Sequence, residues 1–299
     1  MPAVVLYLMS PFAGATGILV WDGVVRRLID LMAPFMIYSQ SLMLATMVVV
    51  IAGFVLLRRY ATFDRGSAVA VLVLVVAFIV TPSEMKSGSF LDVRVAVMIA
   101  FLVFAGFDPR LPRGAGFAVA ASVAALIAVR VAYVAFVWAD HRNDLADLRA
   151  AYAPVEPGAK VIVVETVGEM TPEYRDAEPP GRLIPGLFRM EPHWPALMLI
   201  EKHAFWPLLF ADPRQQPLAV RPAYADVAWP LGEPPDYQYL GKDQSPGVAM
   251  APYLADWANL YDYVLVLNAG AIDAKGLRPD RLDLLVDTDM AALYRIRRP

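Results

Sequence analysis

The chain has 299 residues, is 58% hydrophobic and 18% charged, carries a formal net charge of −3 and contains no cysteine. The missing cysteines exclude disulfides, thiolate chemistry and Cys-ligated zinc or iron–sulfur sites, and no basic face is visible for binding nucleic-acid phosphates. A mean hydropathy of +0.50 with so little charge is more apolar than a soluble domain carries.

The averages conceal a split. Residues 1–139 hold 10 basic and 6 acidic side chains and 6 prolines; residues 140–299 hold 16 basic, 23 acidic and 19 prolines. Two solvents are implied: a transmembrane helical domain over 1–139 and a water-soluble domain over 140–299. Basic charge is mostly Arg, with Lys only at 86, 160, 202, 242 and 275. With the Ala and Val richness, this composition is that of a GC-rich bacterial genome.

Five apolar stretches predict membrane spans: Ala3–Val20, Pro34–Leu57, Ser67–Thr81, Val93–Phe107 and Ala115–Ala139. The third and fourth are short for a hydrocarbon core of about 30 Å. All five are expected to be helical, because backbone groups left unpaired in lipid cost several kcal/mol. Between the first two, Trp21–Ala33 places Trp21, Val24, Val25, Leu28, Leu31 and Met32 at helical spacing, with Asp22, Arg26, Arg27 and Asp30 between them. This predicts an amphipathic helix, lying in the membrane interface or connecting spans.

Arg58, Arg59 and Arg65 follow the second stretch, and Arg110 and Arg113 follow the fourth. The positive-inside rule puts both loops in the cytoplasm and the C-terminal domain outside a bacterial inner membrane. Arg26 and Arg27 oppose this assignment. The first span starts almost at Met1 with no basic residue before it, and Ser10–Pro11 interrupts it, which is unlike a signal peptide. The expectation is a chain that forms the C-terminal part of a larger polytopic design.

The external domain reads as a small α/β layer. Helices are predicted over Asn143–Tyr152, from Pro195 to about Phe205, over Tyr253–Leu260 and over Pro279–Val286; strands over Val161–Val164, Leu218–Val220, Tyr263–Leu267 and Ala291–Ile296. Long proline-rich loops fill Gly168–Pro192 and Pro222–Pro252.

The usual soluble chemistries are missing. The external domain has one serine, Ser245, and no nucleophile elbow; there is no His-Glu-x-x-His, no phosphate-binding glycine loop and no P-loop. His193 and His203 bracket one predicted helix about 80° apart, poorly placed as a metal pair. No metal or cofactor is expected from these motifs. Trp206, Phe210, Tyr224, Trp229, Tyr237, Tyr239 and Tyr253 fit either core packing or an aromatic surface.

Charges predicted at the outer membrane face are the stronger candidates. Asp22, Glu84 and Asp92 offer a carboxylate as general base, and Lys86 and Arg94 offer cations for a lipid-linked phosphate. Arg130, inside the fifth span, either snorkels outward or pairs with one of these acids.

Three stretches carry a resemblance. Ser-Glu-Met-Lys-Ser-Gly-Ser-Phe-Leu-Asp-Val-Arg at 83–94 leads into an apolar span. Pro-Gly-Ala-Lys-Val-Ile-Val-Val follows the last span. Tyr-Asp-Tyr-Val-Leu-Val at 261–266 and Ala-Leu-Tyr-Arg-Ile at 292–296 form closing strands. The layout resembles the C-terminal portion of bacterial polytopic glycosyltransferases of the C-type fold, the protein mannosyltransferase-like group. That resemblance implies a polyprenyl-phosphate sugar donor and a catalytic acid in the first external loop, a position Asp22 matches. The chain departs from the group in having about five spans rather than many more. The competing expectation is a membrane-anchored interaction protein of the cell envelope. A transporter is a third reading, disfavoured by the few polar residues within the spans.

Overall fold

The computed structural model describes residues 18–86, 88–166, 191–211, 218–229, 233–241, 252–269 and 280–298, with Val5 and Met9. Most of the predicted first span and of the 168–192 loop lies outside them. The chain divides into two units, the boundary falling between Val137 and Trp138.

In the first unit, strand β1 (Ile18–Val20) precedes a short helix, α1 (Val24–Asp30), and a 3-10 turn at Ala33–Phe35. Helix α2 (Gln40–Leu57) begins where Ser39 Oγ accepts from the Leu42 amide, 3.3 Å. After β2 (Ala61–Phe63), Asp64 caps α3 (Arg65–Val80) by accepting from the Ser67 amide at 2.8 Å and the Ser67 hydroxyl at 3.1 Å. Strand β3 (Glu84–Lys86) leads to α4 (Leu91–Gly106), β4 (Phe107–Pro109) and the 39-residue α5 (Arg113–Ala151). The last predicted span and the first predicted helix of the external domain are therefore one continuous helix, because nothing between Ala139 and Asn143 breaks it.

Helices α3 and α4 pack along one another, and a two-strand ladder closes each end of the pair. At one end β2 pairs antiparallel with β4 (Thr62 opposite Asp108), and Arg110 N donates to Tyr60 O at 2.7 Å. At the other end β1 pairs antiparallel with β3 (Leu19 opposite Met85). Gly106 allows the close approach at the first end: a Cβ there would lie 2.6 Å from Ser67 Cβ and 2.9 Å from Phe63 Cζ.

Among the described residues two helices, α2 and α5, are long and apolar enough to cross a membrane by length and composition, not five. At 16 residues each, α3 and α4 reach only about 24 Å at about 1.5 Å per residue. Only 11% of the most apolar window of α2 and none of that of α5 is buried. Val48, Leu72, Phe101, Phe117 and Phe136 stand exposed. Nothing in the described chain removes these side chains from solvent, so they call for an apolar medium or a partner.

Helix α1 is built the opposite way round from a helix on a soluble core. Val24 and Val25 are 75% and 73% exposed, and Leu28 is exposed, whereas Asp30 is 1% exposed. Its charged stripe faces the rest of the unit and its apolar stripe faces out, as suits a helix lying against lipid.

In the second unit, β5 (Val161–Glu165), β6 (Tyr263–Leu267), β7 (Leu282–Asp287) and β8 (Ala291–Ile296) form a mixed sheet in the order β5-β6-β8-β7. β5 and β6 are parallel; β8 runs antiparallel to both its neighbours. The central strand β6 is fully buried along its length, as expected for a strand covered on both faces, and its neighbour β8 is buried except at Arg295. The 3-10 turn Glu191–Ala196, α6 (Leu197–Glu201) and α7 (Trp257–Leu260) pack beside this sheet's core, to which Met198, Trp206, Tyr253 and Trp257 contribute.

Five predicted elements differ. The end of the first predicted span, Ile18–Val20, is strand β1. The helix read over Tyr253–Leu260 is a 3-10 turn at Pro252–Leu254 followed by the short α7. The segment read as a helix over Pro279–Val286 is the edge strand β7. Its register shifts between Leu284 and Val286, so that Leu285 has no opposite residue. The extra residue of this bulge gave Leu282, Leu285 and Val286 a false helical spacing. Leu218–Val220 is not a strand. The helix expected from Pro195 to Phe205 is 3-10 up to Ala196 and ends at Glu201, since Lys160 draws Phe205 into a parallel bridge. His203 takes a left-handed φ of 53° at the break.

Candidate functional site: an acidic pocket in the first unit

The β1–β3 ladder sets Val20 opposite Glu84 and so brings the start of the amphipathic segment to the loop between α3 and α4. Ser83 Oγ donates to Val20 O at 3.0 Å, and the Leu91 amide donates to Ser83 O at 3.2 Å. Phe90 holds a left-handed φ of 60° immediately before α4. These contacts surround a cavity of about 290 Å³ lined by Asp22, Arg26, Asp30, Ser83, Glu84, Phe90, Asp92 and Val93.

All three predicted carboxylates, Asp22, Glu84 and Asp92, line this one cavity. Asp30 is a fourth that sequence reasoning had assigned only to the polar stripe of a helix. One carboxylate oxygen from each of Asp22, Asp30 and Asp92 lies within 4.8 Å of the others. Asp92 is 1% exposed; its Oδ1 accepts from the Val93 amide at 3.0 Å, and its Oδ2 has no donor among the described residues. Neither oxygen of Asp30 has a hydrogen-bond donor there either, although Arg26 Nε forms an ion pair with its Oδ1 at 3.3 Å. Burial pushes the Asp30 carboxyl above its ordinary range. Arg26 pulls it down, and the charges of Asp92 and Asp22 push it up again. Glu84 is exposed.

Two of the predicted cations, Arg94 and Arg130, fall elsewhere. Arg94 is exposed on the first turn of α4 and is not among the lining residues, and Lys86 contributes its backbone to the β1–β3 ladder. Arg26 is the guanidinium in the pocket. Arg130 neither snorkels nor meets an acid: its guanidinium donates to Phe35 O (3.1 Å), Met36 O (3.2 Å) and Thr46 Oγ1 (3.1 Å). Thr46 in turn donates to Leu42 O at 2.7 Å, so Arg130 fastens α5 to α2 and to the turn before it.

A signal for Asp30 and Arg26 was present in the sequence. Asp22, Arg26 and Asp30 recur every four residues, which places them on one stripe of a helical segment. Their meeting with Asp92 depends on pairing across some sixty residues, roughly the separation that periodicity cannot read.

In the second unit one histidine is packed into the structure and two are exposed. His141 is buried, its Nδ1 2.9 Å from Asp144 Oδ2 and its ring edge-on to Trp194; the His193 and His203 side chains are exposed. Of the aromatic group, Trp206 and Tyr253 are core, Tyr224, Tyr237 and Tyr239 pack partly buried against it, and Phe210 and Trp229 are exposed. Glu201 accepts from Arg149 (Nη2 at 2.9 Å) and from the Tyr152 hydroxyl at 2.5 Å, fixing α6 to the end of α5.

No protein-family model, curated protein or solved structure matches the chain.

Proposed function

We propose that the protein is an integral membrane enzyme that transfers a sugar from a polyprenyl-phosphate donor at the extracytoplasmic face. The observation that carries this reading is the convergence of Asp22, Glu84 and Asp92 with Arg26 around one cavity. Scattered acids on separate helix ends would have favoured a binding role instead.

The topology supports the assignment of faces. The Arg58–Arg65 and Arg110–Arg113 loops adjoin the same β2–β4 ladder, so their charges gather at one end of the α3–α4 pair. The pocket belongs to the other end. Arg27, which opposed the positive-inside reading, donates to the last carbonyls of α3, and Arg26 pairs with Asp30. Neither is a freely solvated loop charge.

Glu84 is the general base of this reading, because it lines the cavity yet stays exposed. It takes the proton of the acceptor hydroxyl as that oxygen bonds to the anomeric carbon. The bond from that carbon to the donor phosphate breaks, and the phosphate leaves with the electron pair.

The test is sugar transfer by the full chain in nanodiscs, supplied with a polyprenyl-phosphate sugar, alongside Asp22→Ala, Glu84→Ala and Asp92→Ala. Glu84→Ala is expected to lose about 100-fold or more. Undiminished transfer in all three variants, or none by the wild-type chain, would leave an envelope interaction protein as the better reading.

A further inference from the structure

The same pocket has a charge problem that points to a missing partner. Four carboxylates line it against a single guanidinium, Arg26. Two of the four, Asp30 and Asp92, are each 1% exposed. A buried carboxylate normally carries donors or a counter-charge. Asp92 Oδ2 has no donor among the described residues, and Asp30 has the ion pair with Arg26 and the adjacent Asp92 carboxyl as its neighbours. Both acids line the cavity, and their unsatisfied oxygens are themselves buried from water.

We infer that Asp22, Asp30 and Asp92 form a binding site for a hard divalent cation of the Mg²⁺ or Mn²⁺ class. The ligand set is oxygen only, with no histidine or cysteine, which selects hard cations over zinc or copper. One oxygen from each side chain lies within 4.8 Å of the others. Oxygens on opposite sides of a hard cation stand about 4–5 Å apart, at about 2.0–2.6 Å from the metal, so the three need only small adjustments to share an ion. Three carboxylates leave coordination positions open to water or substrate.

The cation also removes an objection to the proposed donor. A phosphate would be repelled by four carboxylates, whereas a divalent ion held by three of them attracts it. This last step rests on the glycosyl-transfer reading; the cation site does not. The competing occupant is a proton shared between Asp30 and Asp92, which would satisfy the same oxygens without a metal.

The probe is Mn²⁺, titrated into the full chain in nanodiscs and followed by electron paramagnetic resonance and calorimetry. One ion per chain is expected. Asp92→Asn and Asp22→Asn should each weaken it by roughly 10-fold or more, as loss of a ligand does at least as severely as loss of its supporting groups. The exposed Asp108→Asn, outside the pocket lining, should bind as the wild type does. Asp22 is only partly buried, so its variant remains informative if Asp92→Asn does not fold. Binding that is absent, or equal in Asp22→Asn, Asp92→Asn and wild type, would overturn the site in favour of the shared proton or an adventitious ion. Mn²⁺ binding without sugar transfer would sink the glycosyl-transfer reading and keep the site. Transfer that is indifferent to cations, with no Mn²⁺ bound, would do the reverse.

Discussion

Arg27 donates from Nη2 to the carbonyl oxygen of Thr81 at 2.7 Å, and from Nη1 to Phe78 O and Ile79 O at 2.7 and 2.8 Å. A single guanidinium thereby satisfies carbonyls that the end of α3 leaves without intrahelical donors, and it sits at the negative end of the helix dipole. Arg27→Ala is expected to destabilise the chain by about 1.5–3 kcal/mol, the range for hydrogen bonds from a charged donor. Arg27→Lys should recover less than half, because an ammonium lacks the planar fork that reaches three carbonyls. Thermal unfolding in detergent checks both. Equal stability of wild type and Arg27→Ala would remove the capping role.

Asp30 makes stability depend on pH in the less common direction for a carboxylate. Its folded pKa is raised from an ordinary value of 3.8, so the folded state holds its proton more tightly than the unfolded state does. Below the ordinary value both states are protonated and no penalty arises. As pH climbs towards the raised value stability is lost, and above that value the whole penalty is present. Asp30→Asn should therefore raise the melting temperature near neutral pH by several degrees in metal-free buffer, and not at all in strong acid. Saturating Mn²⁺ should stabilise the wild type and not the variant. A variant less stable than wild type at neutral pH without metal would contradict this.

Gly106 tests the packing of α3 on α4. An added methyl would meet Ser67 Cβ at 2.6 Å, a root atom that cannot swing aside. Gly106→Ala is expected to cost about 1–3 kcal/mol by overpacking. Ser67→Gly in the same chain should return part of that loss, after allowing for its own removal of a side chain that donates to Asp64. The coupling is read from a double-mutant cycle of melting temperatures. Purely additive effects would mean that the two helices do not meet there.

Arg130 separates structure from chemistry. Arg130→Met deprives Phe35 O and Met36 O of their donor and is expected to cost roughly 1–3 kcal/mol. Mn²⁺ affinity should not change, because Arg130 is absent from the pocket lining. A weakened cation site in a folded Arg130→Met chain would place Arg130 in the pocket's electrostatics after all.

Much of this was legible in residue order. Four of the five apolar stretches became helices α2 to α5, since runs such as Val69–Val80 offer no alternation for a strand and no capping group to interrupt them; the described end of the first, Ile18–Val20, is strand β1. The buried strands β5, β6 and β8 were legible as continuous or near-continuous apolar runs. The amphipathic stripe around Arg26 was visible too. What it faced was not: a stripe has two sides, and only the surrounding elements decide which one is covered. The bulge at Leu285 misled for a related reason, since one unpaired residue shifts a period of two towards a period of helical type.

Residue order by itself determined the two regimes, the helical character of the apolar half, and the residue types available for chemistry, because local propensity and hydrophobic patterning act over a few turns of chain. Tertiary structure alone decided that Asp22 and Asp30 meet Asp92, that Arg27 closes α3, and that Arg130 holds α2 rather than an acid. Those outcomes come from strand and helix pairings between segments tens of residues apart, where the free energy of burial and hydrogen bonding, rather than local pattern, selects the partner.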